Sequence, residues 1–247
     1  MKRIVKILLI LIALLVLLII VIFGLRLFNQ SAYNWDEHEF VYDYHDYNTY
    51  PSEFAGGIVT HFENGEANGF HFEPNDPIDA QPIVMFGGSE GSSNFEEAQT
   101  LAEKGYETYA LFFFGTPNQQ DTLNRVPLEF FSDFIDAFTL EDEPLTVIGY
   151  SKGAELALNL TNYYSTIENL ILYTPGEYSY MGLEFSEESG SSWTWQGEEL
   201  PYISFDDASG WSLTKMMVDM LIARPVEYRE TYETAVKKLR YSRRCSH

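Results

Sequence analysis

The run Gly149-Tyr150-Ser151-Lys152-Gly153 has the G-x-S-x-G form, which suits nucleophilic attack on an acyl carbonyl. A serine at a tight turn from strand to helix has a strained backbone, and glycines two before and two after leave room for the chain to double back. Its hydroxyl then projects above the sheet. The N-terminus of the new helix, with free N–H groups and partial positive charge, faces the position of a developing oxyanion. In such a site Ser151 is the nucleophile and the amide of Lys152 is one oxyanion donor. The competing reading is a tight turn with an inert serine. A second glycine-rich turn, Gly87-Gly88-Ser89-Glu90-Gly91, follows the apolar run 82–86 and suits the other donor position, at Gly88 and Ser89. A phosphate-binding loop is the alternative there, but neither G-x-x-x-x-G-K-[ST] nor G-x-G-x-x-G is present.

Both turns need a buried strand before them and a helix after them. The run 82–86 is apolar throughout, as for a strand covered on both faces, and the segments 106–113, 145–148 and 170–173 read the same way. Between them the pattern predicts helices over 95–104, stopped by Gly105, and over 151–162. Another helix is predicted to open with Pro127 at its first position, its stripe formed by Leu128, Phe131, Phe134, Ile135 and Phe138. Asn64-Gly65 marks a hairpin between strands at 57–62 and 69–72. The expected fold class is therefore α/β, a mostly parallel sheet with helices on both faces. A further strand is expected at 40–44, and helices at 214–222 and 227–238. Trp193, Trp195 and Trp211 read either as ordinary core, the favoured reading, or as the lining of an acyl pocket.

Residues 7–25 carry no charge or strong polar group and make roughly 28 Å of helix at about 1.5 Å per residue, close to the hydrocarbon thickness of a bilayer. Lys2, Arg3 and Lys6 precede the run and only Arg26 follows closely, so the positive-inside rule places the N-terminus in the cytosol and the body outside the cytoplasm. A cleaved signal peptide is the alternative, but Gly24-Leu25-Arg26-Leu27-Phe28 offers no small-x-small cleavage site. The expected organisation is a single-pass signal anchor at 1–28, an acidic and aromatic spacer at 29–54, and one domain at 55–247.

Composition limits the partners. The chain has 247 residues, with 15 Lys+Arg against 37 Asp+Glu. Residues 1–28 hold four of the bases and 237–247 hold five, so the stretch between carries six bases, all 37 acids and a net charge of −31. Such a body repels nucleic acid, and no nucleic-acid partner is expected. Cys245, the single cysteine, cannot form an intrachain disulfide. His38 and His45 lie seven apart among carboxylates without close ligand spacing, and His61 and His71 fall in strands, so neither a metal nor a cofactor is expected.

The runs Phe86-Gly87-Gly88-Ser89-Glu90-Gly91, Leu101-Ala102-Glu103-Lys104-Gly105-Tyr106, Pro127-Leu128-Glu129-Phe130-Phe131 and Ile148-Gly149-Tyr150-Ser151-Lys152-Gly153-Ala154-Glu155-Leu156-Ala157 resemble the C-terminal catalytic domain of acyl-CoA thioesterases and bile acid-CoA:amino acid N-acyltransferases. The resemblance covers about residues 55–235 and implies an α/β-hydrolase fold. It also implies cleavage or transfer of an acyl group from a thioester or ester, with Ser151 in the nucleophile position and a downstream Asp and His. With the body outside the cytoplasm, a lipid, peptide-like or xenobiotic ester suits the location better than acyl-CoA.

The resemblance is incomplete at both ends. The family's N-terminal β-sandwich is replaced by the anchor and a short stretch. In the fold's chain order, serine then acid then histidine, only His247 follows Ser151. Asp206 and Asp207 sit in a loop and Asp219 in a helical pattern, so no acid at the end of a buried strand is identifiable and the last strands are expected to be lacking. Three explanations compete: a displaced base at His247, a hydrolase-like fold that binds without catalysing, or a frameshifted fragment. The abrupt basic run from Arg240 to His247 suits the third.

Overall fold

The computed structural model describes residues 2–33, 46–176, 178–184, 189–204 and 210–224. They belong to two units, one spanning 41–204 and the other combining 1–40 with 205–247. In chain order the elements are α1 (Lys2–Tyr33), β1 (Glu53–Phe54), β2 (Gly57–Asn64), β3 (Ala67–Pro74), β4 (Ile83–Phe86), α2 (Phe95–Ala102), β5 (Thr108–Phe112), β6 (Val126–Pro127), α3 (Phe130–Phe138), β7 (Leu145–Tyr150), α4 (Lys152–Leu160), β8 (Ile167–Tyr173), β9 (Trp193–Trp195), β10 (Glu198–Glu199) and α5 (Gly210–Leu221).

In the larger unit seven strands form one sheet in the order β1-β2-β3-β5-β4-β7-β8. The pairings from β5 through β4 and β7 to β8 are parallel, and those among β1, β2, β3 and β5 are antiparallel. This is the α/β-hydrolase arrangement that the resemblance implies, with a sheet that is mixed rather than mostly parallel. The crossover from β5 to β7 passes over β4, so β4 and β7 become parallel neighbours. Their C-terminal ends therefore emerge side by side, and the two glycine-rich turns that follow them meet at one end of the sheet.

Alternation along each central strand divides the core in two. Val84 and Phe86 of β4, with Val147 of β7 and Leu111 of β5, pack against Phe130, Phe131 and Phe134 of α3 and Leu156 and Leu160 of α4. Ile83 and Met85, with Phe112, Phe70 and Ile148, face Phe95, Ala98 and Ala102 of α2 and the ring of Tyr50. Helices thus cover both faces, which is why β4 is buried along its whole length. The hairpin at β2–β3 turns through Gly65 at φ 56°. A side chain at Gly65 would collide with the Asp133 carboxylate, which accepts the Glu66 amide at 2.7 Å and fastens the hairpin tip to α3.

One expectation needs correction. Pro127 does not open a helix: it ends the two-residue strand β6, which pairs with β9, and α3 begins at Phe130. Proline tolerates both settings, since it lacks the N–H that a ladder or a helix interior would use. The small sheet β10-β9-β6 is itself unanticipated. It places Trp193 in the core, fully buried, while Trp195 stacks on Tyr163 at 4.1 Å. The expected strand at 40–44 and helix at 227–238 lie outside the described residues.

In the smaller unit, α1 runs for 32 residues and carries the apolar stretch Val5–Ala32, whose large apolar side chains from Ile7 to Val21 are exposed; it is long and apolar enough to cross a membrane. The helix continues past residue 28 to Tyr33. Asn29 Nδ2 donates to the Ile222 carbonyl at 2.9 Å, and Asn29 and Asp219 are both buried. Trp211, the third of the tryptophans considered together, is 74% exposed on α5.

Candidate active site

β7 ends at Tyr150 and α4 begins at Lys152, so Ser151 alone turns the chain. Its backbone lies at φ 52° and ψ −110°. A non-glycine residue held there costs about 1–3 kcal/mol, which the surrounding structure must offset. Three hydrogen bonds hold it. The Ser151 amide donates to the Tyr173 carbonyl at 3.0 Å, and its carbonyl accepts from the amides of Ala154 and Glu155 at 3.1 and 3.2 Å. The first extends the β7–β8 ladder and the other two start the helix. The residue is exposed, and its hydroxyl has no hydrogen-bond partner among the described residues.

Both glycines of the pentapeptide are sterically required. A Cβ on Gly149 would strike the Gly153 carbonyl group. One on Gly153 would strike the Gly87 carbonyl oxygen and come within 2.8 Å of Phe86. Gly153→Ala is therefore expected to destabilise the protein by about 1–3 kcal/mol, the usual cost of forcing volume into a packed region, read as a lowered denaturant midpoint. An unchanged midpoint would mean that the two turns do not touch.

The same contact fixes the second turn. Phe86 and Gly149 are partners in the parallel β4–β7 register, so Gly88 and Ser151, two residues further along each chain, leave the sheet side by side. The Gly88 amide donates to Glu90 Oε1 at 2.8 Å, and Ser92 Oγ donates to the same oxygen at 2.6 Å. The amides of Lys152 and Ser89 make no protein hydrogen bond among the described residues. The structure thus brings the four residues singled out from sequence, Ser151, Lys152, Gly88 and Ser89, to one end of neighbouring strands.

Beneath Ser151 lies a buried ionic network with no counterpart in the sequence reading. Lys152 Nζ donates to both carboxylate oxygens of Glu155 at 3.0 Å and to Ser192 Oγ at 2.8 Å, which uses all three of its protons. Glu155 Oε1 also accepts the Tyr180 amide at 3.0 Å and Trp193 Nε1 at 2.8 Å. Burial pulls the Lys152 ammonium below the ordinary lysine range, and the charge of Glu155 opposes that shift. The network ties the first turn of α4 to residues 180–193. Next to the serine, the Tyr150 ring stacks on Tyr173 at 4.4 Å. Its phenol is pushed up to about 12, first by burial and then by the charges of Tyr173 and Glu97.

The described histidines belong elsewhere. His71 on β3 is three strand spacings from β7, about 14 Å, and His61 on β2 is four, about 19 Å, whereas a general base needs hydrogen-bond reach of about 3 Å. His61 Nε2 pairs with Asn68 Oδ1 at 3.1 Å and its ring stacks on Tyr47. His71 Nε2 pairs with Glu107 Oε1 at 2.9 Å, an oxygen that also accepts the Tyr109 hydroxyl at 2.7 Å. The His71 hydrogen bond, working against burial, holds the Glu107 carboxyl below its ordinary value of 4.5. Glu107 therefore binds a proton more weakly folded than unfolded, so its stabilising effect is present above pH 4.5 and is lost as pH falls through the depressed value. Glu107→Gln is expected to flatten the acid-side fall of the urea midpoint below pH 4.5, and a fall as steep as in the unaltered protein would contradict this. His38, His45, His247, Asp206 and Asp207 lie outside the described residues, and Asp219 belongs to α5 of the other unit.

Comparison with known proteins gives partial matches. No family model matches the chain. It is 29% identical over 94 residues to human acyl-coenzyme A thioesterase 6, a match that covers 36% of this chain and 22% of that protein. The chain therefore spans under a quarter of that relative's length. Among solved structures, a carboxylesterase from Bacillus subtilis is 14% identical with a TM-score of 0.40, over 66% of this chain and 52% of the other. An alpha/beta hydrolase fold protein from Chitinophaga pinensis is 16% identical with a TM-score of 0.40, over 51% and 47%. A serine hydrolase from Cycloclasticus zankles is 20% identical with a TM-score of 0.39, over 50% and 49%.

Proposed function

We propose that this chain is a membrane-anchored serine hydrolase or acyltransferase that acts on a thioester or ester through Ser151. The observation that carries the proposal is the backbone of Ser151, a non-glycine residue at φ 52° between a buried strand and a helix. Strain of this kind persists where the surrounding structure enforces it, and it aims the hydroxyl out of the sheet toward solvent. Ser151 Oγ attacks the acyl carbon, the carbonyl oxygen takes up charge, and the amide of Lys152 with the Gly88–Ser89 turn stabilises it. The C–S or C–O bond then breaks. The serine proton leaves with the departing thiol or alcohol, and water or an acceptor nucleophile releases the acyl group.

The substrate is a small acyl thioester or ester. With α1 as the anchor and the N-terminus in the cytosol, the body lies outside the cytoplasm, where a lipid, peptide-like or xenobiotic ester suits the location better than acyl-CoA. Cys245 is the only cysteine, so it reports the topology. A membrane-impermeant maleimide is expected to label intact cells, and labelling only after permeabilisation would reverse the orientation.

A second reading, a hydrolase-fold binding domain without catalysis, is favoured by one observation: His61 and His71 both lie several strands from Ser151. An activity assay separates the two. Protein in detergent or vesicles is offered p-nitrophenyl esters and acyl thioesters of rising chain length. Release of p-nitrophenol or thiol above the buffer rate supports the hydrolase. Silence across both series from folded protein makes binding the better reading.

A further inference from the structure

We propose that Glu90 gates the oxyanion site: its carboxylate occupies the Gly88 amide in the free protein and must be displaced before an acyl oxygen can use that donor. The inference rests on the reading of Ser151 as the nucleophile. Three donors converge on that end of the sheet, the amides of Lys152, Gly88 and Ser89, and they differ in one respect. Those of Lys152 and Ser89 have no protein partner among the described residues, whereas that of Gly88 is bonded to Glu90 Oε1 at 2.8 Å. An N–H directed at a carboxylate is not available to a substrate. An ionised carboxylate left beside a forming oxyanion would also oppose its charge.

A bland alternative is that Glu90 merely braces the turn. The turn, however, has other supports. Asn94 Nδ2 donates to the Phe86 carbonyl at 3.1 Å, the Gly91 amide donates to the Gly88 carbonyl at 3.3 Å, and Gly87 is packed against Ser92. Glu90 itself is exposed, so its carboxylate can leave Gly88 and be solvated by water. Displacement is therefore inexpensive for a substrate that contributes binding energy from groups remote from the carbonyl, and costly for a small ester with none. Glu90 thus acts as a positioning residue that discriminates between substrates through the Gly88 amide.

The test is the rate of covalent reaction of the full-length protein with a small alkyl fluorophosphonate, compared among the unaltered chain, Glu90→Ala and Glu90→Gln, with thermal midpoints measured alongside. The gate predicts that Glu90→Ala reacts about tenfold faster, since a hydrogen bond to a charged acceptor no longer competes. Glu90→Gln, which keeps an acceptor but loses the charge, is expected to fall between. If Glu90→Ala does not fold, the Glu90→Gln rate decides alone. Equal or slower labelling in the folded variants, with the unaltered protein still labelled at Ser151, overturns the gate and leaves the nucleophile intact. No labelling of any of the three removes the nucleophile and the gate together.

Discussion

Replacing Ser151 with alanine is expected to lower ester or thioester hydrolysis by roughly 10⁴- to 10⁶-fold, the range for loss of a member of a catalytic triad. The thermal midpoint is expected to stay close to that of the unaltered protein, because the Ser151 hydroxyl has no partner among the described residues whose loss would cost stability. What fixes the residue is its backbone, through the Tyr173 carbonyl and the amides of Ala154 and Glu155, and alanine keeps those bonds. The combination is diagnostic. Lost activity with an unchanged fold assigns the chemistry to the hydroxyl. Lost activity with a lowered midpoint assigns a structural role, and unchanged activity places the reaction elsewhere.

The largest effect on stability is expected from Glu155→Leu. Glu155 and Lys152 are 5% and 8% exposed, so the ammonium of Lys152 would be left in the interior without its counter-ion. Breaking a buried pair from one side typically costs about 3–5 kcal/mol. For a domain of this size that lowers the thermal midpoint by roughly 6–20 °C. The amide of Tyr180 and the indole N–H of Trp193 also lose their acceptor. The double variant Lys152→Met, Glu155→Gln is expected to recover most of the loss, because it removes the stranded charge and retains an oxygen for both donors. Circular dichroism melts of the two variants check this. A double variant no more stable than Glu155→Leu would show that the pair is held for more than charge compensation.

The parts of the site that were legible in the sequence are those built from neighbouring residues. The turn at Ser151 could be read because Leu145–Tyr150 is a short apolar strand, Lys152–Leu160 a helix, and two glycines flank the serine between them. The same holds for the turn after β4. The network under the serine could not be read, because its members are separated along the chain. Lys152 and Glu155, three apart on a helix, look like a surface pair, and nothing local indicates that Ser192 and Trp193, some 40 residues later, close over them. The small sheet that positions Trp193 was equally hidden: its strands have two or three residues, too few for a period to register. Pro127 misled for a related reason, since a proline followed by an apolar helical stripe looks alike whether it opens the helix or ends a strand three residues before it. Glu90 was visible only as part of a glycine-rich run. Its bond to Gly88 depends on the turn folding the carboxylate back over the backbone, which composition does not encode.

The most direct measurement of the central claim is mass spectrometry of the full-length protein after incubation with a fluorophosphonate, followed by peptide mapping. A single phosphonyl adduct is expected on the peptide that contains Ser151, absent from Ser151→Ala. Folded protein without an adduct, or with the adduct on another residue, would contradict it.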